Sequence, residues 1–203
     1  RQMCIRDSCY TIVLSKVSRD RIESTISLKE DASNCESPLR ICLGQGIVKG
    51  TGFDGIVRKS VELGVDKIVP ISANRSIAKL SQEDSERKIN RWCRISREAS
   101  KQCGRSSIPT IRPKSATVKE FCFTNQESDL KIIFWEEERS FRIKNLFHKS
   151  KLKSVAILIG PEGDFSEEER QEILKFKGVQ PIKINENILR SETAVISAIS
   201  IIN

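Results

Sequence analysis

The stretch Ser154-Val155-Ala156-Ile157-Leu158-Ile159-Gly160-Pro161-Glu162-Gly163-Asp164-Phe165-Ser166-Glu167-Glu168-Glu169 decides how the chain is read. Its apolar run, Val155 to Ile159, is too short for a helix and has the length of a buried strand. Ser166 and Glu169 carry the spacing of a capping box, in which the serine hydroxyl accepts from the glutamate amide while the carboxylate reaches back to the serine amide. Strand, tight turn and helix in direct succession form the unit of a parallel α/β sheet, whose ligands bind beyond the carboxyl ends of strands. Two readings of Gly160 to Gly163 stay open. It is a tight connection, or it is a ligand loop whose glycines permit close backbone approach while the helix start offers free amides. The absence of Gly-x-Gly-x-x-Gly and of Gly-Lys-Ser/Thr argues against dinucleotide and P-loop binding.

The same alternation extends outward. Leu39 to Leu43, Lys67 to Ile71 and Leu130 to Trp135 read as strands, Phe53 to Leu63 as a helix stopped by Gly64, and Ser115 to Phe121 as a short helix. Asp84 to Cys103 has the strongest helical period. At about 100° per residue, Ile89, Trp92, Cys93, Ser96, Ala99 and Cys103 share one face, and Arg87, Arg91, Arg94, Arg97 and Lys101 share the opposite one. Gly104 ends that helix. Downstream, Ser166 to Lys177 is a helix, Val179 to Ile184 closes the strand series, and Glu192 to Ile202 is an apolar final helix with Ser191 or Thr193 as its cap. A cap needs no arginine, so Arg190 and Glu192 beside it mark Ile188 to Ala194 as a second candidate site segment. Near the start, Tyr10 to Val17 and Arg21 to Leu28 are β-like, too few to close a barrel, and the polar stretch Lys29 to Pro38 reads as a linker. A domain boundary near residue 38 follows. Residues 1–8 are set aside as a possible foreign leader.

At 203 residues the chain holds one good core, or one core and a small appended domain. Lys plus Arg number 35 against 27 Asp plus Glu, for a net charge of +8. That balance favours a polyanionic partner, nucleic acid first and anionic membrane second. No stretch approaches the roughly 18 to 20 apolar residues that span a bilayer. The seven cysteines form no C-x-x-C pair, which argues against a metal site and fits a reducing compartment. His148, the single histidine, has no sequence partner for a triad or metal and reads as surface or structural. Trp92 and Trp135 read as core rather than base-stacking platforms. The basic face of the long helix, with Arg75, Lys79 and Arg105 near its ends, is either a tract for an RNA backbone or a solvated face. Lys144, Lys149, Lys151 and Lys153 read as a solvated loop.

Taken together, Ile159-Gly160-Pro161-Glu162-Gly163 with Ser166 to Glu169, and Ile188-Leu189-Arg190-Ser191-Glu192-Thr193-Ala194, resemble the paired signature of the RsmE family. The resemblance extends upstream through Val61 to Val65, Ile68-Val69-Pro70, Arg75-Ser76, Glu98 to Ser106 and Ile108-Pro109, over roughly residues 39 to 203. It implies a methyltransferase of the SPOUT superfamily acting on uridine N3 of 16S ribosomal RNA in the small subunit. It further implies an α/β parallel sheet with a C-terminal trefoil knot, preceded by the remnant of a PUA-like RNA-binding β-barrel over residues 9–38. S-adenosyl-L-methionine is the implied donor, held by Leu158, Ile159, Gly160, Pro161, Glu162, Gly163, Ile188, Leu189, Ser191, Thr193 and Ala194. Arg190, Glu162 and Glu192 become the catalytic candidates, and Arg75, Lys79, Arg94, Arg97, Lys101 and Arg105 the RNA-binding ones. A homodimer in the cytoplasm, or in an organelle of a eukaryotic host, is implied too, with neither metal nor membrane. Two positions depart from the family pattern: Asp164 stands where a second glycine is usual, and Ser191 where threonine is usual. The alternatives are a knotted methyltransferase acting on another RNA base and a non-catalytic RNA-binding module.

Overall fold

The computed structural model of the chain describes residues 2–5, 8–31, 37–76, 82–135 and 152–203. Strands β1 (Gln2–Ile5), β2 (Ser8–Val17) and β3 (Ile22–Asp31) form an antiparallel sheet in the order β1-β2-β3. Between the second and third strands, the Ser18 hydroxyl donates to the Arg21 carbonyl at 2.9 Å and closes the turn. Strand β1 lies inside the stretch set aside as a leader and pairs with β2 from Gln2 opposite Thr11 to Ile5 opposite Ser8. Likewise β3 runs past Leu28 into the expected linker, because Lys29, Glu30 and Asp31 find partners in Tyr10, Cys9 and Ser8. Pairing with a neighbour outweighs a polar composition there.

From residue 40 onward strands and helices alternate, with one short strand at Thr110–Ile111 that the sequence does not announce, and with the helix after Ser166 and the last strand ending at Leu174 and Ile182, short of Lys177 and Ile184. They are β4 (Arg40–Gly46), α1 (Gly52–Glu62), β5 (Lys67–Ile71), α2 (Gln82–Cys103), β6 (Thr110–Ile111), α3 (Val118–Thr124), β7 (Leu130–Phe134), β8 (Ser154–Ile159), α4 (Glu167–Leu174), β9 (Val179–Ile182) and α5 (Ser191–Ile202). The described strands make a sheet ordered β6-β5-β4-β8-β7-β9, with each neighbouring pair parallel. Successive strand residues face opposite sides. Val155, Ile157 and Ile159 therefore join one core with Val57 of α1, Trp92 of α2 and Val195 of α5, while Ala156 and Leu158 join another with Phe121 of α3 and Ile173 of α4. A strand buried on both faces has to read as a continuous apolar run, and β8 does.

The glycines at the helix ends behave as expected. Gly64 and Gly104 take φ of +91° and +76° after α1 and α2. Helix α2 buries Ile89, Trp92, Ser96 and Ala99 and exposes Arg87, Arg94 and Arg97. Trp92 is core, its ring centroid 4.1 Å from that of Phe53 and its Nε1–H donating to Asp54 at 3.1 Å. Helix α3 begins later than expected, since Thr117 caps it and Glu120 completes a capping box, a Thr-x-x-Glu signature that the sequence reading passed over. Burial pushes the Cys42 and Cys122 thiols up to about 11 and about 12, so both are protonated fillers of the core at neutral pH. No described helix is long and apolar enough to cross a membrane. His148 and the lysines at 144, 149 and 151 fall outside the described residues, as does Lys79.

Candidate functional site

Strand β8 delivers its last residue, Ile159, to the carboxyl edge of the sheet, where the chain must turn before α4. The turn closes through the Asp164 amide, which donates to the Pro161 carbonyl at 3.0 Å. Space beneath it is minimal. A Cβ on Gly46 would lie 2.3 Å from the Pro161 nitrogen, and one on Gly160 would lie 2.7 Å from Asp164 Oδ1. Glycine at both positions lets strand end and loop approach each other. Asp164 itself adopts φ +56°, the one positive value outside glycine among the described residues. Its carboxylate accepts from the Phe165 amide at 2.8 Å and from Arg170 Nη2 at 2.5 Å. A side chain therefore holds in place a backbone conformation that glycine would adopt without help.

The second segment meets the first across the sheet edge. Neither Ser191 nor Thr193, the expected caps of α5, caps it; Arg190 occupies the N-cap position and no side chain caps the helix. The Ser191 hydroxyl is spent elsewhere, donating to the Gly160 carbonyl at 2.7 Å. Gln45 Nε2 donates to the same carbonyl at 3.2 Å. Glu162 bends back to accept from the Lys49 amide at 2.9 Å, and Glu192 Oε1 lies 2.7 Å from where a Cβ on Gly52 would stand, beside the start of α1. Both carboxylates thus flank the loop between β4 and α1. Arg190 is exposed and pairs with no carboxylate among the described residues.

These segments enclose a cavity of about 740 Å³. Its walls are Ile159 to Glu162 with Asp164, the stretch from Ile182 to Glu192 with Ala194, and Val48, Phe134 and Trp135. The cavity opens at the carboxyl ends of β7, β8 and β9, where the chain crosses from β8 over β7 to reach β9.

A family model described as the RNA methyltransferase domain matches residues 35–203. A ribosomal RNA small subunit methyltransferase E of Buchnera aphidicola is 37% identical over 174 residues, spanning 86% of this chain and 67% of that protein. The chain belongs to the RsmE family of RNA methyltransferases. Among solved structures, a methyltransferase of Legionella pneumophila with bound cofactor SAM superposes at a TM-score of 0.84, with 31% identity over 96% of this chain and 78% of that one. An RsmE enzyme of Neisseria gonorrhoeae bound to S-adenosyl methionine gives the same TM-score at 30% identity, again over 96% of this chain and 78% of that one. The mixed α/β architecture with its parallel sheet agrees with the α/β parallel-sheet class read from the sequence.

Within this RsmE-family chain, Ile159, Gly160, Pro161, Glu162, Ile188, Leu189, Arg190, Ser191, Glu192 and Ala194 line the cavity together. Leu158, Gly163 and Thr193 do not reach its wall. Leu158 points into the α3 and α4 core, and Gly163 lies against the Arg75 carbonyl, 3.0 Å from where a Cβ would stand. That contact brings exposed Arg75 beside the turn. Arg105 turns inward, donating to the Val61 and Val65 carbonyls at 3.2 and 2.7 Å, and thereby ties the end of α1 rather than joining the exposed face. Lys101 pairs with Glu98 at 3.1 Å. Trp135 is a cavity wall and not core, with the Arg170 guanidinium 4.5 Å from its ring centre. Sequence reasoning missed Phe134, Trp135 and the stretch from Lys183 to Asn187. The signal for Trp135 was its place one residue beyond a parallel strand, where ligands bind.

Proposed function

We propose that this chain transfers a methyl group from S-adenosylmethionine to N3 of a uridine in small-subunit 16S ribosomal RNA, with the donor held in the cavity between the Gly160 turn and Ile188 to Ala194. The observation that carries the site is the Ser191 hydroxyl bond to the Gly160 carbonyl at 2.7 Å, which makes two distant signature segments one wall. A cavity of about 740 Å³ has the size of small-molecule sites, roughly 300 to 1,000 Å³. Its lining also suits the donor. Val48, Ile159 and Leu189 offer apolar surface for a nucleoside, the turn offers a backbone packed too closely for side chains, and Asn185 and Asn187 offer polar groups.

When bound, the donor supplies an electrophilic methyl on a sulfonium. The chain must align the uracil nitrogen, accept its imide proton and hold the charge that spreads onto the uracil oxygens. Arg190, exposed at the cavity and without a carboxylate partner among the described residues, is our candidate for holding that charge or a neighbouring phosphate. Glu162 and Glu192 are the candidate proton acceptors; Glu162 already fixes the Lys49 amide through one oxygen. A general base contributes about 10² to 10⁴-fold. Exposed Arg94 and Arg97 on α2, and Arg75 beside Gly163, provide cations for the RNA backbone, with Lys79 and Lys101 as further candidates.

The finer architecture implied by the family belongs to the same proposal: a trefoil knot, a homodimer with the site near its interface, a barrel remnant in β2 and β3, and a place in the cytoplasm, or in an organelle of a eukaryotic host. The crossing from β8 over β7 to β9, with α5 returning against α1, supports the knot. Mass mapping of methylated nucleosides on small-subunit RNA tests the reaction, and a methyl group on any atom other than uridine N3 overturns the assignment. Glu162→Gln and Glu192→Gln keep shape while removing basicity, so one of them should lower turnover at least 100-fold with donor and RNA affinity retained. Turnover at the unsubstituted rate in both removes both from the base role.

A further inference from the structure

Asp164 departs from the glycine usual at its position and pays for it in backbone conformation, yet its side chain is the best anchored in the turn. One carboxylate oxygen accepts from the Phe165 amide at 2.8 Å, and the other accepts from Arg170 Nη2 at 2.5 Å. Arg170 projects from α4, is 6% exposed, and places its guanidinium carbon 4.5 Å from the centre of the Trp135 ring. Its other terminal nitrogen lies 4.0 Å from Glu167. Asp164 and Trp135 both line the cavity, whereas Arg170 stands behind them. The turn after β8 and the residue after β7 are thus fastened to one buried cation.

We propose that Arg170 is a positioning residue for the donor cavity, fixing the Gly160 turn through Asp164 and the Trp135 wall through its guanidinium face. This rests on the reading of the cavity as the donor site. A planar guanidinium can do both at once, since its edge forms directed bonds to a carboxylate while its face stacks on an aromatic ring. Asp164 Oδ1 lies 2.7 Å from where a Cβ on Gly160 would be, so a displacement of the carboxylate passes directly to the residue whose carbonyl receives Ser191. The glycine that would relieve the strained φ would also release this fastening.

Backbone strain and fastening therefore predict opposite results for one substitution. If Asp164 were only a strained residue, Asp164→Gly would leave S-adenosylmethionine binding unchanged. On our proposal, Asp164→Gly and Arg170→Leu each weaken it about 10-fold by calorimetry, and the double variant loses no more than the weaker single one, because both sever the same connection. Arg170→Lys keeps the charge without the stacked plane and recovers part of the loss. The KM for donor rises while the KM for RNA is unmoved; a general loss of folding would not separate the two.

The fluorescence of Trp135, isolated by comparison with Trp135→Phe, reports the cavity itself. Donor-induced change that vanishes in Trp135→Phe supports the donor reading. Calorimetric binding without any such change overturns that reading and this proposal with it. A Trp135-dependent change together with unaltered affinity in Asp164→Gly, or with additive losses in the double variant, overturns the role of Arg170 alone.

Discussion

Ser191 reads from sequence as a helix cap, and in the fold its hydroxyl crosses to the Gly160 carbonyl while Arg190 takes the N-cap position. The bond is a neutral one, of about 1 kcal/mol, and 1.4 kcal/mol corresponds to a tenfold change in binding. Ser191→Ala should therefore weaken donor binding roughly 5-fold with little change in melting temperature. Ser191→Thr keeps the hydroxyl and should stay within about twofold of the parent; titration calorimetry checks both. A loss as large in the threonine variant as in the alanine one would place the effect in sterics and not in the hydrogen bond. Arg105 gives the converse lesson. Its charge suggests RNA, and its geometry assigns it to two carbonyls at the end of α1.

Elements place the cavity through two close fits at strand ends. Gly46, the last residue of β4, leaves no room for a side chain, because a Cβ there would stand 2.3 Å from the Pro161 nitrogen and 2.4 Å from its Cδ. Gly46→Ala must move backbone, so a loss of about 1 to 3 kcal/mol in urea unfolding is expected, together with weakened donor binding. At the opposite end of the sheet, Asp129 next to β7 accepts from the Lys153 amide at 2.8 Å and the Ser154 amide at 2.9 Å, which holds β8 in register. Those bonds hold its carboxyl below the ordinary value of 3.8. A carboxyl lowered by folding stabilises fully above its unfolded value and loses that contribution as pH falls through its folded value. Asp129→Asn should accordingly melt below the parent at neutral pH, and the gap should close on acidification below the carboxylate range. Thermal melts across that range decide the matter: a gap independent of pH would show that charge is not involved.

Across the whole molecule, internal pairing leaves the net charge of +8 unchanged and decides which cations stay free. Arg91 is bonded to Asp54, Arg40 to Asp66 and Arg170 to Asp164, whereas Arg94 and Arg97 stand exposed on α2. If those two meet phosphates, replacing both by glutamine should weaken RNA binding evenly across sequences and shallow the salt dependence by roughly 1.4 to 1.8, about 0.7 to 0.9 per contact. Filter binding over a salt series measures the slope, and an unchanged slope would leave the basic face a solvated one.

The α/β class, the parallel sheet, the ends of α1 and α2, the start of α4, and the two segments that share the site were all present in the sequence, because each rests on local physics. A run such as Val155 to Ile159 buried on both faces must be apolar throughout, a Ser-x-x-Glu pair closes a capping box within one turn, and Gly64 and Gly104 supply left-handed φ where their helices stop. What only the tertiary structure decided depends on groups far apart in the chain. The partner of a hydroxyl, the space above a glycine and the face of an indole are not set by neighbours in sequence. Ser191 could cap its own helix or reach Gly160, 31 positions away, and nothing local distinguishes the two. Trp135 could fill a core or wall a cavity, and the packing of Arg170 against its ring selects the second. Asp164 looked like an added charge in a glycine turn; the fold turns it into the link between that turn and a buried arginine, since a carboxylate so close to a guanidinium is held by it.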